Sequence, residues 1–173
     1  MDQIIQKPIL VLFLIVVLIF TAYSFVLSAP FKTMDDQVSI VDNENIKSFG
    51  NTGKIFKTAF FGDRSYYRPL VALSFMIEYH FFGLKPVFYY LTNIFLHCLN
   101  TLLVFFLVMR LLRDRPLTYG VTLLFAIHPI HWEAVANIPG RSILLSAFFY
   151  LSAFTAVNDA HEIGIDSTLH LFL

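Results

Sequence analysis

The chain has 173 residues, 57% of them hydrophobic and 14% charged, and its formal net charge is zero. A soluble domain carries about 25% charged residues, so the composition excludes an ordinary soluble domain. With no basic excess, nothing points to nucleic acid as a partner. The 20 phenylalanines and 8 tyrosines suit membrane segments and their interfaces. The one cysteine, Cys98, excludes an intrachain disulfide and, inside an apolar run, reads as packing.

The first apolar run lies between Lys7 and Lys32 and contains no charge. It is long enough to cross a hydrocarbon core of about 30 Å. It is also longer than a signal-peptide core of roughly 7–15 residues, so residues 8–30 are expected to be an uncleaved transmembrane helix. A polar loop follows over 31–68. It carries Asp35, Asp36, Asp42, Glu44 and Asp63 among several basic residues. Phe49, Ile55, Phe56, Phe60 and Phe61 recur at roughly helical spacing, which predicts a short helix on the membrane surface.

Residues 69–84 are apolar apart from Glu78 and His80. Ser74 and Glu78 are four apart and share one helix face. The segment is short for a span and carries an acid near its middle, so it predicts an in-plane or re-entrant helix that Gly83 and Pro86 end. Residues 87–110 make the second predicted span. Asn93, His97 and Asn100 fall at i, i+4 and i+7 of it, a polar stripe that either packs against other helices or lines a substrate site. Arg110, Arg113 and Arg115 form a basic turn, cytoplasmic by the positive-inside rule. That places the N-terminus inside and residues 32–85 outside. Residues 117–131 and 142–158 are the third and fourth predicted spans. Residues 159–173 read as a tail or the start of a further helix.

In this topology Asp35, Asp36, Arg68, Glu78, His128, His131, Glu133 and Arg141 all fall on the outer side. Adjacent carboxylates beyond a membrane helix offer a general base, oxygen ligands for a divalent cation, or plain solvated acids. Because neighbouring side chains diverge, one aspartate is expected to act rather than both. Arg68 and Arg141 stand at membrane boundaries, where a guanidinium binds lipid phosphate in bidentate fashion or snorkels to headgroups. His128 and His131 are three apart with a proline between them. That departs from the i, i+4 histidine pair of helical zinc sites, and no metal is expected there. Gly-rich phosphate loops and nucleophile elbows are absent from the sequence. If the leaving group is a lipid phosphate, one carboxylate base and cationic phosphate binders suffice for a single displacement.

The order of these motifs resembles the tetratricopeptide-repeat membrane O-mannosyltransferase-like proteins, type C glycosyltransferases that use polyprenol-phosphate sugars. The resemblance rests on Met34-Asp35-Asp36-Gln37 with Ile40-Val41-Asp42-Asn43, and on Tyr67-Arg68-Pro69-Leu70. It continues in Leu96-His97-Cys98-Leu99-Asn100, and in the run from Leu124 through His128-Pro129-Ile130-His131-Trp132-Glu133-Ala134-Val135 to Gly140-Arg141. It implies an all-α membrane protein of about four transmembrane helices plus in-plane helices in the first outer loop, the N-terminal portion of a larger bundle. It implies Asp35 or Asp36 as catalytic base, and Arg68 and Arg141 as contacts for lipid phosphate or as stabilisers of the loop. His128, His131 and Glu133 then shape the outer pocket. The implied donor is a polyprenol- or dolichol-phosphate sugar, mannose in the family. The implied acceptors are protein Ser and Thr hydroxyls, and the implied location is a bacterial inner membrane or the endoplasmic reticulum.

The chain departs from such proteins in showing no 34-residue repeat, and its last residues resemble the start of another apolar segment. The expectation is therefore an incomplete module that relies on further helices or partner subunits. Two rival readings stay open. One is a non-catalytic membrane subunit or inactive truncated remnant that binds partner helices through the Asn93/His97/Asn100 stripe. The other is a transporter, which needs charges near the bilayer midplane, whereas the acids and bases other than Glu78 stand at helix ends.

Overall fold

The computed structural model describes residues 8–57 and 66–169, with side chains described to residue 158. Phe60, Phe61 and Asp63, read above as part of the outer loop, lie outside the described residues. Every regular element among the described residues is helical, as expected of an all-α membrane protein. Among the described residues three segments are long and apolar enough to cross a membrane: Pro8–Ser28, Pro86–Leu112 and Ile138–Asn158.

Helix α1, Pro8–Tyr23, tightens into a 3-10 turn over Ser24–Ser28. Helix α2, Met34–Asp36, opens on a capping box. Thr33 Oγ1 accepts from the Asp36 N–H at 3.0 Å, and Asp36 Oδ2 accepts from the Thr33 N–H at 2.9 Å. This satisfies orphan donors at both ends of the turn and fixes how the chain leaves the membrane. The chain then runs through a wide turn at Gln37–Val41, 3-10 turns at Glu44–Lys47 and Phe49–Asn51, and α3, Thr52–Ile55. The expected surface helix is thus a series of short turns. Asn43 and Ser48 hydrogen-bond to nearby backbone N–H groups and so interrupt a longer helix. Ile40, Ile46 and Ile55 point inward, while Phe49 and Phe56 stay exposed.

Helix α4, Pro69–Phe82, starts on a proline and ends where Gly83 takes φ +61°, a left-handed conformation that glycine adopts without strain. Helix α5, Pro86–Leu112, is the central post. Helices α6, Arg115–Ile127, and α8, Arg141–Leu169, both pack along it. Between them lie a 3-10 turn at Pro129–His131, α7 over Trp132–Val135, and a 3-10 turn at Ile138–Gly140.

Two expectations change. Helix α6 has 13 residues, hence a length of about 20 Å, short of the membrane core. His128 leaves it in extended backbone ahead of Pro129, as a residue before proline is biased to do. The expected span over 117–131 is a half-length helix and a turn, and among the described residues three segments reach spanning length. Helix α8 does not stop at 158 but runs to Leu169, since no proline or capping glycine halts it there.

Candidate functional site

The three residues of the polar stripe on α5 each bind the backbone of a different segment. Asn93 Nδ2 donates to the Asn137 carbonyl at 3.0 Å and lies within 3.5 Å of the carbonyls of Ala134, Val135 and Ile138. His97 Nε2 meets the Ala126 carbonyl at 2.9 Å, where α6 ends. Asn100 Nδ2 donates to the Leu144 carbonyl in α8 at 3.0 Å. Their exposures are 0%, 1% and 1%, so the stripe serves the protein's own packing. That settles the open alternative for the stripe, and it leaves the rival reading no exposed stripe with which to bind partner helices.

Arg141 is the hub where α4, α5 and α8 meet. Its side chain is fully buried at 0% exposure. Nε donates to Asn93 Oδ1 at 2.9 Å, Nη1 to Ser74 Oγ at 3.1 Å and to Glu78 Oε2, and Nη2 to the Tyr89 carbonyl at 2.8 Å. The guanidinium also lies 4.5 Å from the Phe75 ring centroid. A buried charge needs a paired, hydrogen-bonded environment, and α4 and α5 supply one. Of the two roles expected of Arg141, contact with lipid phosphate or stabilisation of the loop, its contacts are of the second kind. Its N–H groups face protein, and the residue locks α4, α5 and the start of α8 together. Sequence reading missed Glu78 as its partner, although an acid in an apolar run needs one and Ser74 lies on the same face.

Gly140 allows this closure. A Cβ there would lie 2.4 Å from the Glu133 carbonyl oxygen and 2.9 Å from that of Ala134. The glycine lets the 3-10 turn press onto α7, with Asn93 holding the carbonyls on the other side.

The structure separates the two aspartates. Asp36 is 1% exposed, and its Oδ2 accepts from the Lys32 and Thr33 N–H groups. It caps the turn that opens α2. Asp35 is exposed on the first turn of α2, which packs against the Ile138–Gly140 turn. The free carboxylate thus stands on a short helix seated on the Arg141-anchored turn.

His128 and Glu133 are exposed and His131 is half-buried. His128 Nδ1 accepts from the Ile130 N–H at 3.2 Å, shaping the turn. His131 packs against the rings of Phe125, at 4.4 Å, and His97, at 5.1 Å between centroids. Burial, followed by the neighbouring His128, lowers the His131 pKa from its ordinary value. Trp132 stacks on Phe25 at 4.7 Å with planes 3° apart, tying this turn to the end of the first span. Among the described residues no three His, Cys, Asp or Glu side chains gather as metal ligands.

Arg68 stands elsewhere. It is half-buried at the N-terminus of α4, its guanidinium 4.8 Å from the Tyr66 ring centroid. It lines a groove of about 920 Å³ between the start of α4 and the first turns of α8. Asp35, His128, His131 and Glu133 do not line it.

No family model and no solved structure matches the chain. Individual proteins do. The chain is 38% identical over 127 residues to protein O-mannosyl-transferase TMTC3 of Homo sapiens, a match covering 69% of this chain and 14% of that protein. It is 37% identical over 136 residues to protein O-mannosyl-transferase TMTC2 of Mus musculus, covering 75% of this chain and 16% of the relative. It is 35% identical over 144 residues to protein O-mannosyl-transferase Tmtc1 of Drosophila melanogaster, covering 79% and 17%. The chain thus spans between 14% and 17% of the length of these relatives. Over the greater part of its own length, this all-α membrane chain is homologous to the protein O-mannosyl-transferases, as its motifs led us to expect.

Proposed function

We propose that the chain is a membrane module of a glycosyltransferase that moves mannose from a polyprenol- or dolichol-phosphate donor to Ser or Thr hydroxyls of proteins on the extracytoplasmic side. The names of its relatives support mannose as the sugar and protein as the acceptor. The basic turn at Arg110, Arg113 and Arg115 supports the side, because it favours the cytoplasm and puts Asp35 opposite.

The observation that carries the reading is the placement of Asp35. It is an exposed carboxylate just beyond a spanning segment, on a helix fixed by the Thr33–Asp36 capping box and seated on the turn that Arg141 and Asn93 hold. In the proposed reaction Asp35 takes the proton from the acceptor hydroxyl. The hydroxyl oxygen bonds to the anomeric carbon, and the bond to the donor phosphate oxygen breaks with its electron pair leaving on the phosphate. A single displacement of this kind inverts the anomeric centre. Phosphate is already a good leaving group, so the step needs no strong general acid. His128, His131 and Glu133 shape the rim, and further helices of a longer protein or a partner subunit complete the pocket.

The test is transfer of labelled mannose to a Ser/Thr acceptor protein by membranes containing the full chain. Dolichyl-phosphate mannose is expected to serve as donor and GDP-mannose, with dolichol-phosphate mannose synthesis blocked, is expected to fail. Equal transfer from the nucleotide sugar would sink the lipid-donor reading.

A further inference from the structure

We infer that Ser39 is a positioning residue for the proposed reaction: its buried hydroxyl holds the Asp35 backbone and so aims the Asp35 carboxylate. The inference rests on the reading of Asp35 as the base.

Helix α2 has three residues, Met34–Asp36. A helix that short has almost no hydrogen-bond ladder of its own, and a single turn does not hold its shape unaided. Asp35 is exposed, so packing of its own side chain does not fix it either. Its neighbours do. On the N-terminal side Asp36 Oδ2 accepts from the Lys32 and Thr33 N–H groups at 2.8 and 2.9 Å. On the C-terminal side Ser39 Oγ donates to the carbonyl of Asp35 itself.

The setting of Ser39 is unusual. The residue is 0% exposed and sits in the middle of the wide turn Gln37–Val41. That turn closes where the Asp42 N–H reaches back five residues to the Gln37 carbonyl, at 2.8 Å. Wide turns of this kind are rare and recur at functional sites. Asn43 Nδ2 donates to the Ser39 carbonyl at 3.1 Å, so the clamp is itself tied down. A hydroxyl bonded four residues back is common in long helices, where it is redundant. Thr101 Oγ1 bonds the His97 carbonyl in this way at 2.8 Å, inside the 27 residues of α5. Asp35 has no ladder of that length behind it. A merely solvated acid needs no buried hydroxyl on its backbone, whereas a base must meet its proton at a set distance and angle. A displacement of about 1 Å can cost about 100-fold in rate. Ser39 meets the carbonyl rather than the carboxylate, so it acts on aim and touches no reacting atom.

The experiment measures mannose transfer from dolichyl-phosphate mannose to a Ser/Thr acceptor protein by membranes containing the full chain. It reads kcat per folded molecule, KM for the acceptor and melting temperature. Ser39→Ala is expected to lower kcat by about tenfold or more and to leave KM unchanged. Ser39→Thr keeps the hydroxyl and is expected to recover most of the rate. Ser39→Val has the shape of threonine without the hydroxyl and is expected to recover none. Should either larger residue prevent folding, Ser39→Ala decides. A lowered melting temperature with wild-type kcat per folded molecule makes Ser39 structural only and overturns the inference. Equal loss in the Thr and Val variants, or a change confined to KM, overturns it too. Asp35→Asn is measured beside them. Wild-type transfer by Asp35→Asn sinks the base reading and this inference with it. Loss of transfer by Asp35→Asn with full transfer by Ser39→Ala sinks this inference alone.

Discussion

Arg141 and Glu78 lie 63 residues apart in sequence and form a buried ion pair, the arginine fully enclosed and Glu78 5% exposed. The pair joins the short apolar helix α4 to the first turn of α8, which is long and apolar enough to span a membrane. Through Asn93 it also reaches the turn on which Asp35 is seated. Removing one partner leaves the other charged and buried. Arg141→Met is therefore expected to destabilise the fold by about 3–5 kcal/mol, with Glu78→Gln less severe. In a double-mutant cycle followed by unfolding in detergent, the double variant is expected to cost clearly less than the sum. Simple additivity would mean that the pair is not coupled.

Gly140 is a packing glycine rather than a flexible one. Gly140→Ala brings a Cβ against the Glu133 and Ala134 carbonyls and is expected to cost about 1–3 kcal/mol. Because the strain falls on the turn beneath α2, transfer activity is expected to fall as well. A Gly140→Ala protein with wild-type melting temperature and rate would remove the close approach from the account.

Asn93 feeds both sides of the hub. Asn93→Leu leaves the Arg141 Nε–H and the Asn137 carbonyl without their partner, an expected loss of about 1–3 kcal/mol. Asn100→Leu removes one hydrogen bond to Leu144 and relieves the unpaired Oδ1 of Asn100, so it is expected to cost less. Thermal unfolding of the two variants side by side checks the order.

His131 gives the Pro129–His131 turn a pH dependence. The rings of His97, Phe125 and His128 surround it, and its pKa in the folded protein lies below the ordinary 6.5. As pH falls through about 6.5 the unfolded chain takes up this proton first, so stability declines until the lowered folded value is passed. Measured from pH 7.5 to pH 5, on the order of the range where histidine titrates, wild type is expected to lose stability more steeply than His131→Gln. Parallel curves would contradict the assignment.

Much of this was legible in the sequence. Charge-free runs between Lys7 and Lys32 and between Lys85 and Arg110 mark two spans, because length and apolarity decide the matter in a bilayer. The regular spacing of Asn93, His97 and Asn100 marks a polar stripe, although not which carbonyls it meets. What stayed hidden depends on distant partners. Nothing local tells that Arg141 turns inward to Glu78 while Arg68 remains at a groove mouth, since both follow short breaks and precede apolar helices. The division of labour between Asp35 and Asp36 was likewise out of reach. It is set by Thr33 and by the turn angle, and the sequence offers the two carboxylates as equals. Helix α6 misled for a related reason: the uncharged run continues to Trp132, but Pro129 ends the helix before it can span.

The most direct measurement is mannose transfer from dolichyl-phosphate mannose by the full chain carrying Asp35→Asn, beside Asp36→Asn, with membrane abundance and melting temperature recorded for each. The account expects Asp35→Asn to lose at least about 100-fold in rate at unchanged abundance and stability. It expects Asp36→Asn to lower the melting temperature by weakening the capping box. Wild-type transfer by Asp35→Asn would contradict the account, because no other exposed carboxylate stands on α2.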